Sequence, residues 1–303
     1  MENIISLNDF LRERFGRKVA KLSIDAGFSC PNREGDGKGC YFCSENGGAG
    51  HGAERKLSIS DQLQAQKDRM RKKWNPGGFI AYFQSFSNTY GPVDLLRKYY
   101  DEAMKGNDML GLAIATRPDC IGEEVLRLLD EYNKKTFLWV ELGFQTSNEH
   151  TAQRMNRGYG NHVYDECVEK LHACNIRTVT HLIAGLPGER REDFLASAGH
   201  VASLPLWGVK LHNLYIQSDS PAYEPYLKGV IPVLSMDEYI DMVCGALECL
   251  PEGCIVHRLT GDGDREKLVA PSWTKNKLLV LTSISREWER RKENRKNQAC
   301  GIR

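Results

Sequence analysis

The sequence predicts an α/β fold built on a parallel sheet, and three observations lead to this class. Short β-branched or aromatic runs alternate with longer amphipathic runs in six cycles. No internal repeat or Pro/Ser-rich linker interrupts the alternation. The length of 303 residues is enough for a large buried core. Because each helix returns the chain to the start of the next strand, the strands run in one direction, in an open doubly wound sheet or a partial barrel.

The elements follow one another along the chain. The predicted strands cover residues 18–25, 79–83, 110–115, 137–143, 177–183 and 209–216. The predicted helices between them cover residues 60–74, 93–105, 123–133, 162–174 and 192–203. In the third of these helices, Val125, Leu128 and Leu129 share an apolar stripe at helical spacing.

The pattern loosens after Ile216, where three prolines interrupt it. It resumes with a helix over 237–250, a strand over 254–259 and a long polar helix at the end. We therefore expect a core over residues 1–220 and a C-terminal extension of helices and a strand over 221–303.

Composition excludes several classes of protein. The 41 Lys and Arg residues balance the 40 Asp and Glu residues, and 41% of the residues are hydrophobic, unlike disordered or collagen-like chains. No apolar run approaches a membrane span, and the first 20 residues mix Glu, Asp and Arg where a signal peptide is apolar. We expect a cytoplasmic protein without membrane contact, whose ten cysteines are reduced.

Three cysteines lie in the loop after the first strand. Cys30, Cys40 and Cys43 form a C-x9-C-x2-C arrangement, and cysteines two residues apart can share one metal or cluster. The trio leaves one coordination position without a cysteine, which suits a [4Fe-4S] cluster with one open iron. His51 could instead complete a structural zinc site of three cysteines and a histidine, and unligated thiols are a third interpretation.

The position of this loop favours the cluster. Active sites of parallel β/α folds form at the carboxyl ends of the strands, where the loop begins. An open iron could chelate a small molecule carrying an amine and a carboxylate, and S-adenosylmethionine (SAM) carries both. One-electron reduction would cleave it to methionine and a 5′-deoxyadenosyl radical.

The sequence resembles the radical SAM enzymes. Phe42 is an aromatic residue just before the last cysteine of the loop, and further motifs follow the third, fourth and fifth strands in the family's order. These motifs are Thr116-Arg117-Pro118-Asp119, Glu141-Leu142-Gly143-Phe144-Gln145-Thr146 and Gly185-Leu186-Pro187-Gly188-Glu189. Within the family the chain is similar to the radical core of the Elongator catalytic subunit and to the small YtqA/YhcC-type proteins. The resemblance implies a partial (β/α)6 TIM-type barrel of parallel strands.

The resemblance also implies roles for individual residues. The three loop cysteines would bind the [4Fe-4S] cluster, and Phe42 would lie along the adenine of SAM. Gln145 and Arg157, twelve positions apart, would contact the ribose and the methionine carboxylate. A guanidinium suits that carboxylate because it is always charged and can donate two parallel hydrogen bonds. A surface helix charge is the alternative for Arg157.

Other implied contacts lie where the chain departs from the family's pattern. Ser87 and Asn88 occupy the turn after the second strand, which is usually rich in glycine and offers backbone carbonyls to the methionine amine. His181 on the fifth strand stands where the related oxygen-independent coproporphyrinogen oxidases carry an acid. Ala115 replaces a glutamate of the Elongator core, so that contact with the cofactor is lost.

Three polar residues on later strands are candidate catalytic residues. His212 on the sixth strand, and His257 with Arg258 on the last strand, are expected at the same end of the sheet. Each could hydrogen-bond a substrate or move a proton. A structural histidine with satisfied hydrogen bonds is the alternative for each.

The resemblance implies an enzyme of tRNA modification. It would trim the 5-carboxymethylaminomethyl group of wobble uridine to aminomethyl, with an electron donor such as flavodoxin or ferredoxin and a tRNA methyltransferase acting next. We expect no acetyltransferase domain like that of Elongator after residue 260. The basic segments 67–73 and 286–296 would hold the anticodon arm, unless they are solvated helix faces.

Two alternatives stay open. Radical modification of a small molecule or a protein would use the same cofactors. A non-catalytic zinc protein that binds RNA would use the cysteine loop only as a structural site.

Overall fold

The protein is described by a computed structural model of residues 4–300, apart from residues 36, 38, 46, 48–54 and 262 and the side chains of 298–300. His51, the predicted fourth zinc ligand, lies outside the described residues. The described strands are β1 (Ile5–Ser6), β2 (Val19–Ile24), β3 (Gly78–Phe83), β4 (Met109–Thr116), β5 (Phe137–Gln145), β6 (Arg177–Ala184), β7 (Gly208–Asn213), β8 (Ile216–Gln217), β9 (Ile255–Arg258) and β10 (Leu268–Ala270).

The α-helices alternate with the strands over most of the chain. They are α1 (Leu7–Phe15), α2 (Ile59–Lys73), α3 (Val93–Ala103), α4 (Glu123–Lys135), α5 (Glu149–Arg154), α6 (Asn161–Ala173), α7 (Arg191–Ala202), α8 (Tyr223–Leu227), α9 (Met236–Cys249) and α10 (Lys277–Cys300). Of the helices that the structure describes, none is both long and apolar enough to cross a membrane.

One sheet of eight parallel strands curls into a half-barrel, in the order β1-β9-β7-β6-β5-β4-β3-β2. Each of β2 to β6 pairs with the next strand in sequence, as expected when a helix follows every strand. The predicted α/β class and the partial barrel are therefore confirmed, with strand ends moved by up to three residues.

The termini differ from the expectation. β1 and α1 were not predicted, because two strand residues are too few to show a period, yet Leu7 and Leu11 of α1 are buried. The predicted strand over 209–216 ends at Asn213, since the chain then leaves the sheet to pair β8 with β10 in antiparallel. β9, from the predicted extension, joins the main sheet beside β7. The division at residue 220 stays a prediction.

The two faces of the sheet bury different residues. Successive strand residues alternate between the faces, so Leu138, Val140 and Leu142 of β5 pack outward against the helices. On the inner face, the amino half of the barrel holds a second cluster that we call the apolar layer. Its members include Ile80, Ala113, Phe137, Trp139 and Val179, with Leu7 and Leu11 of α1 packed against them. Helix α1 thus closes the amino end of the half-barrel.

Candidate active site

A cavity of about 220 Å³ lies at the carboxyl ends of the parallel strands. The loop after β2 and the ends of β3 to β7 form its walls. Ten of the predicted site residues line it: Cys30, Cys40, Phe42, Cys43, Ser87, Gln145, Arg157, His181, His212 and Arg258. The structure therefore gathers most of the predicted site around one space. Asn88 and His257, which were also predicted, do not line the cavity.

Asn32 fixes the cysteine loop to the segment after α5. Its side-chain amide donates hydrogen bonds to the carbonyls of Asn156 and Arg157 at 2.6 and 3.0 Å, and lies 3.4 Å from Cys40 Sγ. The backbone N–H of Cys43 donates to the Cys40 carbonyl at 3.0 Å, which closes the turn between these two cysteines. The loop is thus held in place by contacts distant in sequence.

The thiols of the loop need a cationic partner to ionise. Burial raises the pKa of Cys40 to about 12 and raises the pKa of Cys43, and neighbouring thiols add to both shifts. The guanidinium groups of Arg117 and Arg33 act in the opposite direction, on Cys40 and Cys43 respectively. A metal cluster supplies the positive charge that stabilises such thiolates.

The three cysteines of the loop line one cavity, as the ligands of a cluster would. Among the described residues, no three His, Cys, Asp or Glu side chains are grouped to hold one metal ion. A single zinc ion would draw its ligands close together, at about 2.3 Å from the metal. The cysteines of a [4Fe-4S] cluster bind different irons, so three thiols around one cavity can hold it at wider separation.

Gln145 has a strained backbone at the end of β5. Its φ is +66°, a conformation that non-glycine residues rarely adopt, and the pairing of β5 with β6 is irregular there. Its side-chain oxygen Oε1 is buried and has no hydrogen-bond partner among the described residues. Strain combined with an unsatisfied polar atom beside a cavity is typical of a binding residue.

Asn88 holds the turn after β3 instead of lining the cavity. Its side-chain amide donates to the backbone carbonyls of Ser85 and Ala115 at 3.0 and 2.9 Å. Its backbone carbonyl accepts a hydrogen bond from the Tyr100 hydroxyl at 2.6 Å. Ser87, its neighbour, does line the cavity. The structure therefore keeps Ser87 as a possible contact and gives Asn88 a positioning role, because its amide donors are already used.

Arg157 is buried, unlike a surface helix charge. Its side chain donates to the carbonyls of Phe144, Thr146 and Tyr159 at 2.8 to 2.9 Å. The remaining nitrogen donates to Asn161 Oδ1 at 2.9 Å and lies 3.4 Å from a carboxylate oxygen of Glu149. A guanidinium has five N–H donors, so none is left for the methionine carboxylate. Arg157 instead orders the chain after β5.

Arg117 lies beside Arg157 and keeps donors available. Two of its nitrogens pair with the Asp119 carboxylate at 2.6 and 2.9 Å, and the third donates to the Arg157 carbonyl at 2.8 Å. Three of its five N–H groups are therefore used. The residue lines the cavity within electrostatic reach of Cys40.

The floor of the cavity is a buried network centred on Glu141, which we call the polar layer: Tyr82, Glu141, His181 and Lys210. The Tyr82 hydroxyl and His181 Nε2 lie 2.8 and 3.0 Å from Glu141 Oε2, and Lys210 Nζ makes a short ion pair with the same oxygen. Burial alone would raise the pKa of Glu141, but Lys210 and Lys21 outweigh burial and hold it well below its usual range. Glu141 is thus ionised.

The three predicted catalytic residues separate in the structure. His212 and Arg258 line the cavity, and the rings of His212 and His181 lie 5.5 Å apart. His257 is enclosed between the rings of Trp139 and Trp207, at 5.6 and 5.0 Å. Its Nδ1 is 3.9 Å from Glu141 Oε1, beyond hydrogen-bond distance, and the residue does not line the cavity.

Sequence reasoning assigned no role to Tyr82, Glu141 or Lys210. The sequence did contain one signal for Lys210. It is a lysine between two apolar residues of a predicted strand, Val209 and Leu211, and both of these are fully buried in the structure. A lysine at such a position needs a buried partner, although the sequence does not say which one.

Two family profiles match this chain. The Radical SAM superfamily profile covers residues 28–201, which include the cysteine loop and β3 to β6. The chain belongs to the radical SAM superfamily. A profile of the Radical_SAM C-terminal domain covers residues 206–290. Members of this superfamily use a [4Fe-4S] cluster and SAM, which agrees with the predicted cofactors.

Three proteins of known sequence are similar to this chain. It is 43% identical to YtqA of Bacillus subtilis over 288 residues, which is 94% of this chain and 89% of YtqA. It is 33% identical to YhcC of Escherichia coli over 279 residues, 91% of this chain and 89% of YhcC. Elongator complex protein 3 of Schizosaccharomyces pombe is 24% identical over 171 residues, 54% of this chain and 31% of that protein.

Solved structures of radical SAM enzymes share the fold. Elp3 of the archaeon Methanocaldococcus infernus superposes with a TM-score of 0.67 at 15% identity, over 89% of this chain and 63% of that one. Methylornithine synthase (PylB) gives a TM-score of 0.54 at 13% identity, over 82% of this chain and 67% of that one. Both comparisons support the half-barrel.

The basic segments of this radical SAM protein are less available than expected. In 67–73, Lys67 and Arg71 pair with Asp108 at 2.7 and 2.9 Å, at the amino ends of the strands and away from the cavity. In 286–296, Arg290, Arg291, Lys292 and Arg295 each pair with acidic side chains of α9 or α10. Other cations of the two segments are exposed: Arg69, Lys72, Lys73, Arg286 and Lys296.

Proposed function

We propose that this radical SAM enzyme acts on tRNA, converting 5-carboxymethylaminomethyl-uridine at the wobble position to 5-aminomethyl-uridine. The observation that carries the proposal is the cavity at the carboxyl ends of the strands, where the thiol loop and the polar layer line one space. The resemblance to the radical core of the Elongator catalytic subunit supports wobble uridine as the target.

In this proposal Cys30, Cys40 and Cys43 bind the cluster. When bound, the cluster and SAM would supply a 5′-deoxyadenosyl radical that takes a hydrogen atom from the carbon beside the substrate amine. SAM would be the net two-electron oxidant, since it ends as methionine and 5′-deoxyadenosine. Water would then cleave the oxidised carbon–nitrogen bond, so that the amine stays on the base and the carboxymethyl group leaves as glyoxylate. Phe42 and Ser87 line the space beside the cysteines, and Gln145 Oε1 is an acceptor for a ribose hydroxyl. Arg117 replaces Arg157 as the donor to the methionine carboxylate, because it retains unused N–H groups.

The cavity sets how the RNA must enter. A wobble base stacked in the anticodon loop cannot reach a space below the rim of a barrel, so the base is turned out of the stack. Because the base enters at the rim of the cavity, we place the nearest RNA contacts there, with the exposed cations of the two basic segments as further contacts. An electron donor, such as flavodoxin or ferredoxin, and a tRNA methyltransferase that uses the aminomethyl product complete the proposed sequence.

The test is a comparison of wobble nucleosides from cells with and without the gene. Loss of the enzyme should raise 5-carboxymethylaminomethyl-uridine at the expense of aminomethyl-uridine and its methylated product, as measured by nucleoside mass spectrometry. A strain carrying a Cys40→Ala copy is the matched control and should behave like the deletion. Unchanged levels of both nucleosides would remove the tRNA assignment and leave a small molecule or a protein as the substrate.

Metal analysis tests the cofactor separately. Protein purified without oxygen should hold about four irons per chain and should absorb light at about 400 nm. One zinc and no iron would instead support the structural zinc site.

A further inference from the structure

More cations than anions lie in and around the polar layer. Glu141 is the one carboxylate among the described residues that line the cavity. Lys210 bonds to it directly, and Lys21 and Arg258 act on the same group of side chains, with Lys21 Nζ 4.7 Å from the centre of the Tyr82 ring. Burial, and then the charges of Lys21 and Arg258, lower the pKa of Lys210 well below its usual value against the pull of Glu141. A second anion at this place would relieve that repulsion.

Lys210 has a donor left for such an anion. The residue is only 2% exposed and lines the cavity. Its ammonium group donates to the Tyr82 hydroxyl at 2.8 Å and to Glu141, and an ammonium has three N–H groups. Among the residues that the structure describes, no third acceptor is present. The remaining N–H can therefore be taken by a ligand carboxylate.

His181 offers the opposite chemistry next to Lys210. An ionised carboxylate only accepts hydrogen bonds, so His181 Nε2 must carry the proton that it shares with Glu141. The ring is then neutral, as burial requires, and its Nδ1 has a free lone pair. The side chain is 22% exposed and lines the cavity, beside Lys210 in the pairing of β6 with β7. His181 can thus accept an N–H from a ligand.

We propose that the polar layer is a subsite for a secondary amine bearing a carboxymethyl group, with the carboxylate on Lys210 and the amine N–H on His181. The two protein groups lie on neighbouring strands, which matches the close spacing of amine and carboxylate in an N-alkylglycine. Glu141 is a positioning residue that holds both. The assignment of that group to a wobble nucleoside rests on the proposed function, whereas the chemistry of the subsite rests on the side chains themselves.

Equilibrium dialysis tests the subsite without turnover. The iron-loaded protein, without reductant, is dialysed against the free nucleosides 5-carboxymethylaminomethyl-uridine, 5-aminomethyl-uridine and uridine, and bound nucleoside is measured by mass spectrometry. The carboxylate should improve binding over aminomethyl-uridine by about ten- to a hundredfold, because a hydrogen bond to a charged group gives that much. The Lys210→Met variant should lose this preference.

Two further variants keep the test decisive. The double change Glu141→Gln with Lys210→Met removes both partners of the buried pair, so it should fold even where Lys210→Met does not, and it should also lose the preference. Lys267→Met removes a lysine paired with Asp219 at 2.6 Å outside the lining of the cavity, and should retain the preference.

The outcomes separate this inference from the tRNA assignment. Equal binding of the two modified nucleosides by the unaltered protein, or a preference that survives in both Lys210 variants, would overturn the subsite. A preference for the carboxylate in dialysis, combined with unchanged wobble nucleosides in the deletion strain, would support the subsite and reject wobble uridine. In that case an N-alkylglycine group on another molecule would be sought.

Discussion

The same strands contribute apolar side chains to one half of the barrel interior and polar side chains to the other half. In the apolar layer, β5 contributes Phe137 and Trp139 to a cluster that α1 covers. Two residues further along the same strand, Glu141 begins the polar layer, and the Trp139 indole N–H donates to it at 2.9 Å. The apolar layer gains stability from burial, whereas the polar layer buries charges that cost free energy unless ion pairs and hydrogen bonds compensate them.

This difference shows where the fold supports function. Apolar side chains close the amino end of the barrel, so the charged side chains above them are largely buried. Charges in such a setting interact more strongly with a ligand than they would at a surface. The comparison predicts that changes at the carboxyl end alter chemistry and changes at the amino end alter stability alone.

The largest effect is expected at the cysteine loop. Cys40→Ala should abolish the release of 5′-deoxyadenosine from SAM and lower the iron content, because the cluster loses a ligand. Product chromatography and iron analysis of oxygen-free protein measure both. Cys249→Ala, which changes an exposed cysteine of α9, is the matched control and should retain both properties. Continued release of 5′-deoxyadenosine by the Cys40 variant would contradict the ligand role.

The second largest effect is expected on the stability of the protein when the buried ion pair of the polar layer is broken. Lys210→Ala leaves Glu141 buried without its main partner and should lower the free energy of unfolding by about 3–5 kcal/mol. The measurement is urea unfolding. Lys134→Ala breaks an exposed pair with Asp130 and should change stability by less than about 0.5 kcal/mol. If both variants lost the same small amount of unfolding free energy, the buried pair would contribute no more to stability than an exposed pair.

A change in the apolar layer should affect stability without affecting binding. Leu11 is 1% exposed under the barrel, and Leu11→Ala should lower the free energy of unfolding by about 2–5 kcal/mol through the cavity that it creates. Its preference between the two modified nucleosides in dialysis should equal that of the unaltered protein. A changed preference at a temperature where the variant is folded would mean that the two halves are coupled.

The smallest expected effect is a pH dependence from His181. Burial and Lys210 lower the pKa of His181 to about 4 in the folded protein, below its ordinary value of 6.5. The unfolded chain therefore binds the proton first, and the free energy of unfolding falls as the pH drops from 6.5 towards 4, by at most about 1.4 kcal/mol per pH unit.

The His181→Gln variant tests this contribution. In the range below pH 6.5, urea unfolding should show a shallower decline for the variant than for the unaltered protein. The two curves should run parallel above that range, where His181 is neutral in both states. Parallel curves throughout would show that His181 titrates normally.

Local patterns predicted much of the fold. The strand and helix periods gave the six β/α cycles, because each buries one face and repeats over many residues. The C-x9-C-x2-C spacing predicted the thiol loop for the same local reason. The short β1 was not predicted, because its two residues form a strand only by pairing with β9, about 250 positions away in the chain.

The site was predictable only in part. Arg157 matched a family position, yet its donors are taken by backbone carbonyls that the sequence does not reveal. His257 was placed on the correct strand, but Trp139 and Trp207 enclose it. Lys210 was overlooked because a single lysine in a strand has no visible partner until β5 and β7 face each other.

The sequence by itself determined the class of fold, the thiol loop and the family. Only the tertiary structure decided which polar side chains meet beneath the cavity and which are used up in holding the chain. The physical reason is that periodicity and spacing act over a few residues, whereas the charge state of Glu141, Lys210 and His181 depends on burial and on neighbours from other strands.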